Sequence, residues 1–356
     1  MNKKIISIDI GSNKIKLVYG YVRKNKLIVK EYAIADTPED SIEDGKLLDI
    51  YSLVDVIKNS LIKKNKIRCK NLGLIIKGTG VIVREIQIPK STEDEIEKML
   101  EFEVEQYFPI GLENYVLDYR IIDEIENIEG ILQRVLIVAV PNNQVDEYMK
   151  IHSMLKMEIE AIDIPANVIY KILLDRIKLE KHPKEYAVLD IGAKTTGVYI
   201  FSEGKLKFNR ILLRGSRYVD ESISNHFSVD FKKGEELKIS AKNLDEETET
   251  GYLESEKSAI SSVIKSAMED ILNDVNRFFD FYNSRRATNK LRKIYICGGG
   301  SKIKNLDKFI SMYFNLPTEN LVPDENIIYE GKKDFETFKK DFPFLVSSIG
   351  AIIRNR

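Results

Sequence analysis

Residues 4–14 read Lys4-Ile5-Ile6-Ser7-Ile8-Asp9-Ile10-Gly11-Ser12-Asn13-Lys14, an apolar strand pattern that ends in Asp-Ile-Gly and opens into a polar turn. A second copy lies far down the chain, where Tyr186-Ala187-Val188-Leu189 leads into Asp190-Ile191-Gly192-Ala193-Lys194-Thr195-Thr196. Each copy continues into a second strand pattern, Ile15 to Val22 or Gly197 to Ser202. A polar turn follows, Arg23 to Lys26 or Glu203-Gly204, and a third strand opens at Leu27 or Leu206. The repeat is thus a whole hairpin, and self-similarity on that scale divides the chain into two related halves.

A strand-end aspartate followed by glycine suits a polyphosphate and its metal ion, because a residue without Cβ lets backbone N–H groups approach anionic oxygens. Ser12, Asn13, Thr195 and Thr196 add neutral donors, and Lys14 or Lys194 supplies positive charge. Asp9 and Asp190 would hold Mg²⁺ through water, since Mg²⁺ keeps several of its waters. Two such hairpins facing each other would clamp phosphates from both sides. The alternative for either motif by itself is an aspartate capping a tight turn. A third element is Gly298-Gly299-Gly300-Ser301, which follows the strand pattern Lys293 to Cys297. Consecutive glycines cost conformational entropy and mark close backbone approach or a severe turn, so a base or ribose can lie against them.

Composition narrows the function classes. With 356 residues, 43% hydrophobic and 31% charged, the chain has the make-up of a folded protein with more than one core. Lys+Arg (55) nearly cancels Asp+Glu (56), so no bulk positive field is available for nucleic acid or anionic lipid. Cys69 and Cys297 stand far apart and the three histidines are scattered, which indicates neither a metal cage nor a disulfide framework. Asp9 interrupts the N-terminal apolar run too early for a signal peptide, and no stretch approaches the length of a spanning helix. The expected location is cytoplasmic, with no direct membrane insertion.

Between the repeats the pattern is mixed α/β. Leu53, Val54, Ile57 and Leu61 have helical spacing, and Leu72 to Ile76 and Val81 to Ile88 read as strands. Thr92 and Glu95 form a capping box for a helix stopping at Pro109. Tyr115 to Ile122 and Val135 to Val140 read as strands around an acidic turn, Asp123 to Gly130, and 142–156 as a helix. Residues 85–163 therefore form an α+β insertion. In the second half, Glu254 to Arg286 is a long helix with one apolar face, preceded by a solvated acidic loop at 242–250. Leu345 to Arg354 closes the chain as a last helix.

The order of two Asp-Ile-Gly hairpins and a Gly-Gly-Gly-Ser loop resembles the actin, Hsp70 and sugar-kinase superfamily of split-domain ATP-binding proteins. The insertion points to one branch. Ile88-Pro89, the helix through Glu101-Phe102-Glu103-Val104-Glu105-Gln106-Tyr107-Phe108-Pro109 and Val116-Leu117-Asp118-Tyr119 are similar to the PilM family of actin-like type IV pilus assembly proteins. Gly234-Glu235-Glu236-Leu237-Lys238 resembles that family's adenine-side helix, and Ser348-Ile349-Gly350-Ala351-Ile352-Ile353-Arg354 its ending.

The resemblance implies an α/β, actin-like (ribonuclease H-like) two-lobed ATPase fold. Subdomain 1A would comprise 1–84 completed by 164–185 and 343–356, and 1C the insertion 85–163. Subdomain IIA would comprise 186–215 completed by 291–342, and IIB 216–290. ATP with Mg²⁺ would bind in the cleft. Asp9, Gly11, Ser12, Asn13 and Lys14 would meet the phosphates from one side, and Asp190, Gly192, Lys194, Thr195 and Thr196 from the other. Gly215, Glu235 and Lys238 would approach ribose and adenine, and Gly298, Gly299 and Ser301 the nucleoside's other face. A groove between 1A and 1C would receive the cytoplasmic N-terminal peptide of a PilN-like inner-membrane protein. That partner would hold the chain at the inner face of the cytoplasmic membrane, with other pilus machine components and self-association as further contacts.

Hydrolysis needs an aligned water. Pro141-Asn142-Asn143-Gln144 offers polar side chains but no carboxylate where hydrolysing relatives place a water-positioning residue, and Asp163, before Ile164-Pro165, is a water polariser or a helix N-cap. Slow or partner-dependent turnover is expected. A small-molecule kinase of the same superfamily and an FtsA-like division scaffold are the competing readings. Glu101, Glu103 and Glu105 read as a solvated helix face, with a basic-peptide contact as the alternative.

Overall fold

A computed structural model of the chain describes residues 3–105, 111–127, 130–179, 185–241, 252–284 and 290–354. Its first half runs β1 (Ile5–Ile10), β2 (Lys14–Arg23), β3 (Lys26–Asp36), the short pair β4 (Ile42–Glu43) and β5 (Lys46–Leu47), and α1 (Ile50–Asp55), which continues as a π-helical segment to Lys63. It goes on through β6 (Asn71–Ile75), β7 (Ile82–Pro89), α2 (Glu93–Glu105), β8 (Tyr115–Asn127), β9 (Gly130–Pro141), α3 (Asn142–Leu155), β10 (Glu158–Asp163) and α4 (Pro165–Leu179). The second half supplies β11 (Tyr186–Ile191), β12 (Thr196–Ser202), β13 (Lys205–Leu212), α5 (Ser216–Phe227), α6 (Phe231–Ser240) and α7 (Tyr252–Ser284). The remaining elements are β14 (Lys293–Cys297), α8 (Leu306–Phe314), β15 (Thr318–Asn320), β16 (Ile327–Tyr329) and α9 (Phe335–Gly350).

The two repeats fold alike down to their hydrogen bonds. Ile10 pairs with Ile15 and Ile191 with Thr196, so the two loops have equal length. Each closes on the same bond, Gly11 N to Lys14 O at 3.1 Å and Gly192 N to Thr195 O at 2.8 Å. Both hairpins then turn through two residues at positive φ, Lys24-Asn25 and Glu203-Gly204, the geometry that matches strand twist. β1 pairs in parallel with β6 as β11 does with β14.

The resulting sheets have the orders β10-β6-β1-β2-β3-β16 and β13-β12-β11-β14-β15. Apolar layers cover both outer faces and fill the space between. Ile6, Ile8 and Ile10 meet Leu53, Ile57 and Tyr148 on one outside, while Leu189 and Ile191 meet Ile264, Ile271 and Val275 of α7 on the other. In the middle, Val18 and Val29 of the first sheet and Val188 and Tyr199 of the second enclose α4 and α9, through Ile169, Phe338 and Phe342. These two helices touch at Gly350, where a Cβ would lie 2.2 Å from the Val168 carbonyl oxygen. Successive strand residues face opposite ways. Asp9, flanked by Ile8 and Ile10, and Asp190, flanked by Leu189 and Ile191, are thereby both turned inward between the lobes.

Several boundaries differ from the sequence expectation. The expected insertion 85–163 is smaller as a separate body, the sheet β7-β9-β8 covered by α2 through Ile96 and Leu100. α3 and β10 belong to the first lobe instead, because Tyr148 and Ile151 enter its core and β10 hydrogen-bonds to β6. β16, expected with the second lobe, pairs with β3 in the first. The acidic turn expected at Asp123 to Gly130 is strand as far as Asn127, since Arg134 and Lys205 neutralise Asp123. α9 begins ten residues before Leu345, capped by Asp334 Oδ1 accepting from Thr337 N at 2.8 Å, and carries Pro343 inside. Thr92 N donates to Glu95 Oε2 at 2.9 Å, the backbone arm of the capping box. Residues 106–109, the acidic loop 242–250 and the side chains of Glu101, Glu103 and Glu105 lie outside what is described.

Candidate functional site

The space between the lobes is a cavity of about 510 Å³. Asp9, Gly11, Ser12, Asn13 and Lys14 line it from the first hairpin, and Asp190, Gly192, Lys194 and Thr195 from the second. Glu235, Lys238, Gly298 and Gly299 close it at the other end. Four expected site residues, Asp163, Thr196, Gly215 and Ser301, do not line it.

Asp9 is 2% exposed, and each of its oxygens carries an ammonium group, Lys16 Nζ at 3.2 Å and Lys77 Nζ at 2.7 Å. Burial by itself would raise the Asp9 carboxyl, but the two lysines outweigh it and hold the group below its ordinary value. Burial lowers Lys16, whereas Asp9 and Asp190 hold Lys77 above its ordinary value against the same burial cost. Neither lysine was singled out from the sequence. Lys16 lies directly opposite Asp9 in the β1/β2 register, whereas Lys14 lies opposite Asp36 and pairs with it. Lys77 follows β6, whose parallel register sets Ile75 beside Asp9. The stretch Lys77-Gly78-Thr79-Gly80 after a buried strand was the available signal, a counterpart of the glycine loop after β14. In the ligand-free cleft the Asp9 carboxylate is thus paired with two ammonium groups that also face the cavity.

The second loop is held from behind. Gly215 precedes α5, and a Cβ there would sit 2.6 Å from the carbonyl oxygens of both Gly192 and Ala193. Ser216 N and Arg217 N donate to those same carbonyls at 2.9 and 2.8 Å. The α5 N-terminus therefore anchors the loop from behind through its carbonyls, while Gly192 N closes the loop on Thr195 O. Thr196 is fully buried, its hydroxyl donating to Arg214 O at 2.8 Å, so it fastens the hairpin rather than meeting phosphate. Gly298 has φ +82°, and a Cβ would lie 2.5 Å from Asp190 Oδ1 and from Ile191 O. Ser301 Oγ donates to Gly298 O at 2.8 Å, which shapes the glycine turn from inside the protein.

At the far end, Lys238 Nζ lies 2.6 Å from Asp220 Oδ1, with Asp220 4% exposed. Burial pushes the Asp220 carboxyl up and Lys238 opposes it, so the Lys238 charge is spent within the protein and its stem lines the cavity. Asn13 Nδ2 reaches Glu235 Oε1 at 3.5 Å, a contact between the first hairpin loop and α6 across the cleft.

Asp163 has no part in this space. Its Oδ2 pairs with Lys171 Nζ at 2.6 Å, and its Oδ1 accepts from Ile164 N at 2.9 Å and Asn167 Nδ2 at 2.8 Å. Bonded on both oxygens, it secures the start of α4 as the helix-capping alternative has it, outside the cavity where a water polariser would have to stand. Among the described residues no three His, Cys, Asp or Glu side chains gather as a metal cage. A hydrated divalent ion that reaches protein through water fits this donor set, with Asp9 and Asp190 among the carboxylates on the cavity wall.

Two lobes grown from one repeated hairpin, with both strand-end aspartates turned toward a shared cleft, define an actin-like protein. Solved structures agree on the fold. The PilM-PilN type IV pilus biogenesis complex superposes with a TM-score of 0.82 at 20% identity, covering 99% of this chain and 98% of that one. The ethanolamine utilization protein EutJ from Carboxydothermus hydrogenoformans gives 0.57 at 13% identity, covering 98% and 88%. MreB5 of Spiroplasma citri bound to ADP gives 0.52 at 15% identity, covering 98% and 94%. The cell division protein FtsA of Streptococcus pneumoniae is 20% identical, over 89% of this chain and 75% of its own length. The chain belongs to the family of the type IV pilus assembly protein PilM, whose model matches residues 7–356. No helix among the described residues is long and apolar enough to cross a membrane.

Proposed function

We propose that the chain is a nucleotide-loaded scaffold of type IV pilus assembly, with MgATP held in the cleft. In that state a groove between the first lobe and the insertion presents itself to the cytoplasmic N-terminal peptide of a PilN-like inner-membrane protein. The observation that carries this reading is the matched pair of hairpin loops on opposite walls of one cavity, in a chain of the PilM family. The backbone N–H groups of Ser12 and Asn13, with Lys16 and Lys77, would meet the β and γ phosphates from one side. Gly192, Lys194 and Thr195 would meet them from the other, and Asp190 would orient the water shell of Mg²⁺. Glu235, the Lys238 stem and Gly298-Gly299 would border the nucleoside. Bound MgATP would supply a compact polyanion and a phosphoanhydride bond. Lys16 and Lys77, both held by Asp9, would share their charge with that polyanion, drawing the first hairpin toward the second. Asn13 and Glu235 span the same gap, so lobe closure and nucleotide occupancy would favour each other.

Turnover should be slow or partner-dependent, because Asp163 is engaged with Lys171 and supplies no base at the cleft. The same fact disfavours a small-molecule kinase. Through its PilN-like partner the chain would sit at the cytoplasmic face of the inner membrane. The test is calorimetric titration of MgATP-loaded protein with a peptide copying that partner's N-terminus. Affinity near 1 μM, about −8 kcal/mol, is expected. Asp190→Ala should weaken ATP binding and, through it, peptide binding. Equal peptide affinity with and without ATP would refute the coupling.

A further inference from the structure

Lys77 stands at the root of the insertion as well as in the cleft. The chain leaves the first lobe between Lys77 and β7 and returns where β9 ends at Pro141 and α3 begins. Beyond the β7/β9 ladder, which begins with Ile82 opposite Ala139, a side chain also fastens the outgoing and returning segments at the lobe itself. Gln144, 3% exposed, donates from Nε2 to Lys77 O at 2.6 Å and to Gly45 O at 2.9 Å. The tip of the β4/β5 hairpin locks in beside it. Asp44 accepts from Thr79 N at 2.9 Å and from the Thr79 hydroxyl. A Cβ on Gly45 would lie 1.8 Å from Lys77 O, and one on Gly78, at φ +126°, 2.2 Å from Asp44 O. Across the neck, the Pro141 ring sits 3.2 Å from where a Gly80 Cβ would be. The Lys77 side chain, leaving this locked backbone, ends 2.7 Å from Asp9 Oδ1 on the cavity wall.

We propose that Gln144 is a positioning residue. Through the Lys77 carbonyl it sets where the Lys77 ammonium stands against the phosphates, and it ties the neck of the insertion to occupancy of the cleft. The inference rests on the nucleotide reading above. A lysine that shifts from a carboxylate toward a phosphate pulls on its own peptide, and the bond that resists or transmits the pull here is the one from Gln144. Any such coupling is reciprocal, so a change in neck geometry alters nucleotide affinity by the same factor.

The experiment titrates the full chain calorimetrically with MgATP and, separately, with adenosine, which lacks phosphates. Wild type, Gln144→Ala, Lys77→Met and the double variant are compared, each first checked by circular dichroism and thermal unfolding. Loss of one charge-assisted phosphate contact in Lys77→Met should weaken MgATP roughly tenfold to a hundredfold and leave adenosine unchanged. Gln144→Ala should weaken MgATP about threefold to tenfold, spare adenosine, and add nothing further to Lys77→Met, because residues acting through one contact are non-additive. Equal losses for MgATP and adenosine, or a Gln144→Ala loss that adds in full to Lys77→Met, would overturn the inference and leave the nucleotide reading standing. Failure of the wild-type chain to bind MgATP would overturn both. If Gln144→Ala does not fold, Gln144→Met, which fills the space without donating, takes its place under the same criteria.

Discussion

Replacing Asp9 by asparagine tests the electrostatic centre of the cleft. The carboxylate is 2% exposed and holds Lys77 at 2.7 Å and Lys16 at 3.2 Å, with those side chains 25% and 13% exposed. At an effective dielectric of about 20, each contact represents about 5–6 kcal/mol of Coulomb attraction, most of it offset by the cost of desolvating the charges. The variant loses that attraction yet leaves two ammonium groups close together. Removing one partner of a buried pair typically costs about 3–5 kcal/mol, and the partial exposure of Lys77 places the expectation near 3 kcal/mol. The assay is urea unfolding of ligand-free protein at neutral pH, read by tryptophan-independent far-ultraviolet circular dichroism because the chain has no tryptophan. The pH dependence supplies a second check. The folded carboxyl lies below its unfolded value of 3.8, so its contribution is complete above that value and fades as pH falls through the folded one. Wild type and Asp9→Asn should therefore converge in strong acid and differ by a constant amount around neutrality. A neutral-pH difference under about 1 kcal/mol would refute the view that Asp9 is the counter-ion of both lysines.

Three further outcomes follow from the geometry. Asp163→Asn should cost about 3 kcal/mol of stability by leaving Lys171 buried without its partner, while any ATP turnover per folded molecule stays unchanged; a selective loss of turnover at intact stability would restore Asp163 as a catalytic group. Gly298→Ala should cost about 1–3 kcal/mol, measured by thermal or urea unfolding, because a side chain is forced into positive φ against Asp190 and Ile191. The insertion touches the second lobe through Lys207, 7% exposed, and Glu85 at 2.9 Å, so a Glu85→Ala, Lys207→Ala double-mutant cycle should show about 1 kcal/mol of coupling that shrinks as salt is raised.

The repeated hairpins were legible because their information is local. Strand alternation, a loop of equal length and a two-residue turn all lie within some thirty consecutive positions, and the same holds for the apolar stripe of α7 and the start of α2. Gly298 was legible for a related reason, since a run of glycines after a strand has few structural causes. The sequence places the start of α9 only at Leu345, yet tertiary packing of Phe338 and Phe342 in the middle layer extends the helix back through Pro343. β15 and β16 are three-residue strands recruited by existing sheet edges, and so short a segment carries no periodicity to read.

By itself, then, the sequence determined the two halves, the loops that face each other and the aspartates at their mouths, because backbone period and turn chemistry act between near neighbours. The tertiary structure alone decided which charges those aspartates meet. Lys77 reaches Asp9 only through the parallel register of β1 with β6, and Gln144 reaches Lys77 only once a whole insertion has left the lobe and returned. Such contacts are selected by the burial and pairing of groups distant in the chain, and no local pattern encodes which distant partner will neutralise a buried charge.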